Sequence, residues 1–318
     1  MFRDRLGPLA GEAFDTLATR LGLFREKDGN GYFSHPMALP VLEFPQWAAA
    51  HAARRGAAIP PAVVDSLVEA AAAGYLHVRV QDDWFDEGVG DPEATMMLSD
   101  MLFTRFQALL ARELGRHSAF WELFEDVWIE YGEAMALERA LHRGDEPYDA
   151  TAFQKVLARS RPLVLPPAAA LHMAGRSGDI KALERLSAAL VTAHQLFADL
   201  LDAEKDRAHG NRTHVLFRLG GKAGGDREAI ALRVALFVEG GFDAVVRDAL
   251  DELGRARQAA DDLAMPEAVR FLDKRACLMA EIQARVFEAV FSEVRAVRSD
   301  AQASPVAEGR DEGAALAP

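Results

Sequence analysis

The chain has 318 residues, 36 basic and 49 acidic, for a formal charge of −13. That balance excludes a general nucleic-acid binder, which needs a basic face to replace phosphate counterions. It leaves diphosphate substrates open, because carboxylates that first bind divalent ions turn those ions into the dominant local positive charge. Half the residues are hydrophobic and mean hydropathy is close to zero, which allows a sizeable core. No apolar run reaches the roughly 20 residues of a membrane-spanning helix.

The N-terminus, Met1-Phe-Arg-Asp-Arg5, leads into no signal-peptide core, so a cytoplasmic location is expected. The one cysteine, Cys277, excludes an intrachain disulfide and a cysteine-rich zinc site, and is expected to be a buried small hydrophobe.

In chain order, nearly every segment predicts helix. Ala, Leu, Glu and Arg dominate, and apolar residues recur at three-and-four spacing, as in Leu102, Phe103, Phe106, Leu109 and Leu110. Breaks are expected at 27–40, 56–61, 88–92, 144–147, 175–178, 220–225 and around Pro266, each carrying turn residues. Pro162, Pro166 and Pro167 predict a kink. The fold class is therefore all-α: one antiparallel bundle of about ten long helices over 1–298, with a disordered tail over 299–318.

The first cluster of chemical interest closes the helix that contains Gly74. Asp82, Asp83, Asp86 and Glu87 precede the Gly88-Val-Gly90 break. Asp82 and Asp86 lie four apart on one helical face, so their oxygens can converge on a hard cation such as Mg2+. Without a cation, like charges at that spacing and at a helix C-terminus cost a few tenths of a kcal/mol. The bland reading is a solvated acidic helix end.

The second cluster, Asp199, Asp202, Glu204 and Asp206, repeats three-and-four spacing. Lys205, Arg207, His209 and Arg212 follow at once, a mixture suited to metal ions and the phosphoryl oxygens that bridge them. Asp202 lies 120 residues after Asp82, enough chain for several helices to return to the same end of a bundle.

Asp82-Asp83-Trp-Phe-Asp86 and the stretch from Gln195 to Asp206 resemble the two metal motifs of the class I isoprenoid synthase superfamily, which includes terpene cyclases, trans-prenyltransferases and squalene and phytoene synthases. The likeness spans roughly residues 60 to 290. It implies a deep apolar pocket with three Mg2+ ions at its mouth. Asp82 and Asp86 would hold one pair, and Asp202 and Asp206, joined by Asp199, the third. Asp83 would support the first site. Arg159 or Arg161 would sense the diphosphate, a surface arginine beside a kink being the alternative. Trp84, Phe85, Phe103, Phe106, Phe124, Trp128 and Tyr131 would line the pocket, against ordinary core packing for each.

The resemblance has departures. No Gly-Lys-x-Arg segment stands near the N-terminus and no Arg-Arg pair follows Asp86, so a second, homoallylic diphosphate lacks its expected cationic seat. Ala198 and Asp202 also differ from the cyclase form of the second motif. The first expectation is a terpene synthase that ionises a single allylic prenyl diphosphate, farnesyl or similar, and cyclises it. The alternatives are a trans-prenyltransferase or squalene/phytoene synthase-like enzyme, or a non-catalytic prenyl-lipid-binding or partner subunit. A homodimer is left open. No Gly-rich phosphate loop, Gly-x-Ser-x-Gly or His-Glu-x-x-His is present, and the histidines do not form zinc or di-iron spacings.

Overall fold

The computed structural model describes residues 3–23, 31–35, 37–87, 91–115, 118–144, 147–220 and 226–303. Among them there is no strand. The helices are α1 (Pro8–Leu21), α2 (Glu43–Arg54), α3 (Pro61–Glu87), α4 (Pro92–Leu114), α5 (Ser118–Arg143), α6 (Ala150–Val156), α7 (Leu165–Met173), α8 (Ile180–Leu201), α9 (Ala203–His209), α10 (His214–Arg218), α11 (Asp226–Arg233), α12 (Gly241–Asp262) and α13 (Pro266–Ala303). One compact unit spans 1–276 and a second spans 277–318, the division falling within α13. The boundary expected at 298/299 also falls inside α13, and 304–318 lie outside the described residues.

The expected breaks separate these helices, and their chemistry explains where each begins. Pro92 opens α4 in the first turn, where its missing N–H costs nothing, and the Asp91 carboxylate accepts from Glu93 N at 3.1 Å. Asp149 caps α6 in the same way, accepting from Ala152 N at 2.8 Å.

Two helix pairs form the body of the first unit, α3 against α4 and α8 against α12. On α8, Leu183, Leu186, Leu190, Ala193 and Phe197 are buried at three-and-four spacing. They meet a like row on α12, Phe242, Val245, Val246, Ala249, Leu253 and Ala256. Helix α1 lies against α4, its Ala10, Phe14 and Leu17 joining Leu76, Val80, Leu98 and Leu102 in one apolar cluster.

The predicted kink takes a definite form. Residues 157–164 wind as a 3-10 helix containing Pro162, and α7 then starts with Pro166 and Pro167 in its first turn. This 3-10 segment is wedged between α5 and α8 and also touches α3. From it Arg159 reaches Asp82 near the end of α3 and Gln195 on α8.

Cys277 is exposed, not buried as expected. Its position on α13 falls outside the buried rows of that helix, and the general burial habit of free cysteine is too weak a guide to the facing of one residue.

Candidate active site

Asp82 is half-buried near the end of α3, and its partners converge from two sides. Arg79, one turn earlier, stands 3.4 Å from Oδ2, and Arg159, from the 3-10 segment, donates from Nη1 to Oδ1 at 3.4 Å. These are long contacts, so the Asp82 oxygens are only loosely engaged. Arg159 is held more tightly elsewhere. Its Nη1 lies 2.8 Å from Glu138 on α5, and its Nη2 donates to Gln195 Oε1 at 3.0 Å. Gln195 in turn donates from Nε2 to Asp199 Oδ1 at 2.6 Å, on the same face of α8. One guanidinium thus joins the first acidic motif to the second.

Electrostatics follow from that burial. Desolvation lowers the pKa of Arg159, only 17% exposed, but the charges of Glu138 and Asp82 outweigh it and raise it. Asp199 is also buried, and desolvation pushes its carboxyl up to about 7, against the Gln195 hydrogen bond and the Arg159 charge. Asp206 is raised as well, by burial and then by its neighbour Asp202, although Asn211 donates to it at 3.2 Å.

The second cluster does not form the single acidic face its spacing predicts. Asp202 ends α8 and precedes α9 with φ −92° and ψ 1°, a kink in the helix path. Asp199 is consequently buried, Asp202 exposed and Asp206 half-buried. Lys205 is exposed and Arg207 half-buried on α9. The Arg212 guanidinium lies 2.6 Å from where a Cβ on Gly144 would stand, so it packs over the left-handed glycine that ends α5.

Asp83 faces the other way. It is 6% exposed and ion-paired to Arg20 on α1 and to Arg79 at 2.7 Å, which fastens α1 to the motif helix. The side chains of Phe85 and Asp86 lie outside the described ones.

Arg159 and Arg161 part company. Arg161 is ion-paired with Glu130, and with Glu184 at 2.6 Å, on a surface groove between α5 and α8. Only Arg159 reaches the acidic motifs.

Beneath Arg159 lies an apolar cavity of about 50 Å³ walled by Ala71, Gly74, Tyr75, Val78, Phe106 and Leu163 among others. Of the aromatic residues expected to line a pocket, Phe106 does so. Phe103, Phe124 and Trp128 instead stack with Phe106 and His77 in an aromatic core, with centroids 4.8–6.5 Å apart. Trp84 is 39% exposed. Tyr131 adjoins Trp128 and donates to Gln81 at 2.7 Å, one residue before Asp82. Sequence reasoning missed Glu138, which lies 21 residues from its Arg159 partner; a glutamate inside an apolar helix face was the available signal.

The acidic motifs offer carboxylate oxygens, the chemistry a hard divalent cation requires. Among the described residues no three such groups already stand close enough to hold an ion. Asp82, Asp202 and Asp206 present oxygens that solvent or a ligand can reach.

Three solved structures share this architecture. A polyprenyl synthase from Roseobacter denitrificans superposes with a TM-score of 0.59 at 16% identity, covering 88% of this chain and 98% of that one. A polyprenyl synthase from Caulobacter crescentus CB15, complexed with calcium and isoprenyl diphosphate, gives 0.58 at 19% identity over 86% and 97%. A decaprenyl diphosphate synthase from Rhodobacter capsulatus gives 0.57 at 18% identity over 88% and 99%. The chain has the polyprenyl synthase fold. No family model matches it, and no curated protein does. The polyprenyl synthase fold accounts for most of the chain's length, and among the described residues no helix is long and apolar enough to cross a membrane.

Proposed function

We propose that the chain is a magnesium-dependent prenyl-transfer enzyme of the cytoplasm, which ionises an allylic prenyl diphosphate and passes the prenyl group to an acceptor. The observation that carries this reading is Arg159, shared between Asp82 of the first motif and, through Gln195, Asp199 of the second. A cation fixed between two acidic helix ends suits an anionic head, and the apolar cavity of about 50 Å³ beside it suits the first carbons of an apolar tail. The polyprenyl synthases of the same fold support it, and in one of them calcium and isoprenyl diphosphate are bound together.

Asp82 with Asp86, and Asp202 with Asp206 and Asp199, would hold the metal, and bound Mg2+ supplies positive charge for the departing diphosphate. Arg159 adds a donor on the same oxygens, and its tether to Glu138 keeps it aimed at the mouth. The cavity walls Ala71, Val78, Leu163 and Phe106 exclude water from an allylic cation, and the Phe106 ring offers it a negative face.

A second reading is a terpene cyclase, in which the acceptor is a double bond of the same substrate. The absent Arg-Arg pair after Asp86 favours it.

Diphosphate release from geranyl, farnesyl and geranylgeranyl diphosphates, with and without Mg2+, tests both. Metal-dependent release lost in Asp82→Ala supports ionisation at this site; a cyclic hydrocarbon from one substrate selects the cyclase. Equal release by Asp82→Ala, or none with any substrate and isopentenyl diphosphate, overturns the proposal.

A further inference from the structure

The surface groove that holds Arg161 encloses about 510 Å³ between α5, α6, the 3-10 segment and α8. Its floor is apolar. Leu157, Val164 and Val191 are buried beneath it, and Ala188 is exposed in it. The nearest undescribed residue in sequence is 146, eight positions before Gln154 on the rim. Ser160 walls both this groove and the cavity beneath Arg159, so the 3-10 segment divides the two.

Charge is unevenly placed along the groove. Lys181, Arg185, Ala188, Val191 and Thr192 recur at three-and-four spacing and share one face of α8. The cations stand at one end of that row and the small and apolar side chains follow. The Arg161 guanidinium is already engaged by Glu130 and Glu184. Lys181 and Arg185 are exposed and pair with no carboxylate among the described residues, so both can meet an anion from solution.

Across the described wall three cations face two carboxylates, an excess of one positive charge. A single anionic charge balances that excess, whereas a diphosphate would press further charge against Glu130 and Glu184. A carboxylate suits the end of the row, because the Arg185 fork can take both of its oxygens and Lys181 adds a point charge. From Lys181 to Val191 the helix runs about 15 Å at its usual rise, close to the length of an extended dodecyl chain.

We propose that this groove is a binding site for a long-chain monocarboxylate, its head at Lys181 and Arg185 and its chain laid along α8 over Ala188 and Val191. The site stands apart from the acidic motifs and does not depend on the prenyl-transfer reading.

The test is isothermal titration calorimetry of the full chain with dodecanoate below its micelle concentration. Saturable one-to-one binding is expected, and its absence overturns the proposal. Lys181→Ala combined with Arg185→Ala should weaken binding about tenfold or more, the loss of charge-assisted contacts. Ala188→Trp, which fills the floor, should weaken it by at least as much, whereas Lys155→Ala, a cation of α6 outside the groove, should leave it within about twofold. All four positions are exposed, so these variants are expected to keep the wild-type Tm. Equal affinity in the double variant overturns the proposal, as does equal binding of dodecyltrimethylammonium, which carries the same chain on a cation. Dodecyl phosphate binding more than about tenfold tighter than dodecanoate would show that the head seat takes a second charge, and would overturn the monocarboxylate assignment.

Discussion

Glu138 lies 2.8 Å from the same Arg159 nitrogen that stands 3.4 Å from Asp82. The tighter tie therefore holds the guanidinium off Asp82. Glu138→Gln removes the charge but keeps the shape, and Arg159 is then expected to settle on Asp82 and compete with the metal. The predicted outcome is a rise of about tenfold in the Mn2+ concentration at half-saturation, read by electron paramagnetic resonance. An unchanged Mn2+ titration would show that Glu138 is only a packing residue.

Arg159 and Arg161 make a matched pair for mutagenesis. Arg159→Met is expected to raise KM for farnesyl diphosphate about tenfold or more, the loss of one charge-assisted contact. Arg161→Met, which breaks only its pairs with Glu130 and Glu184, should leave KM within about twofold, since exposed pairs contribute little. Steady-state kinetics on the two variants would reverse the assignment if the larger effect fell on Arg161.

Asp199 gives the site a pH dependence of unusual sign. Its carboxyl holds its proton up to about pH 7 in the folded chain and loses it near pH 4 when unfolded. Between those values the folded state binds more protons, so this group's contribution to stability is fully present below about pH 4 and is lost as pH rises through 7. Asp199→Asn should remove that loss and stabilise the apo chain at pH 8 by on the order of 1 kcal/mol, seen as a higher Tm than wild type. A lower Tm at pH 8 would mean the ionised carboxylate is held favourably.

Asp83 is predicted to matter for folding more than for chemistry. Removing it takes from Arg20 and Arg79 the buried carboxylate that both of them pair with. Asp83→Ala should cost about 3 kcal/mol in urea unfolding, whereas Asp82→Ala, at a loosely engaged site, should cost less than about 1 kcal/mol. Equal costs would contradict the different roles given to these neighbours.

Phe106 walls the cavity, and its ring carbons lie 3.1–3.3 Å from where a Cβ on Gly74 would stand. Phe106→Ala is expected to destabilise by about 3–4 kcal/mol. It should also raise kcat/KM for geranylgeranyl relative to geranyl diphosphate, and an unchanged ratio would place the prenyl tail elsewhere.

The helices were legible because their breaks carry Gly, Pro and Asp, and the acidic helix ends because carboxylates gather at Asp82 and Asp199. The choice between Arg159 and Arg161 was not. In a 3-10 helix, residues two apart point about 240° from each other, and a propensity reading of Leu157–Val164 gives no such turn. Nor could spacing show that Asp202 kinks the path from α8 to α9 and buries Asp199 alone. The aromatic residues illustrate the remaining gap: Phe103, Phe106, Phe124 and Trp128 all recur at helical spacing, yet only Phe106 faces the cavity, because their mutual stacking decides the rest.

The exposed Cys277 is the chain's single thiol. A maleimide dye will therefore attach at one place per molecule without any engineered cysteine. Mixing donor-labelled and acceptor-labelled protein then turns energy transfer into a direct readout of self-association.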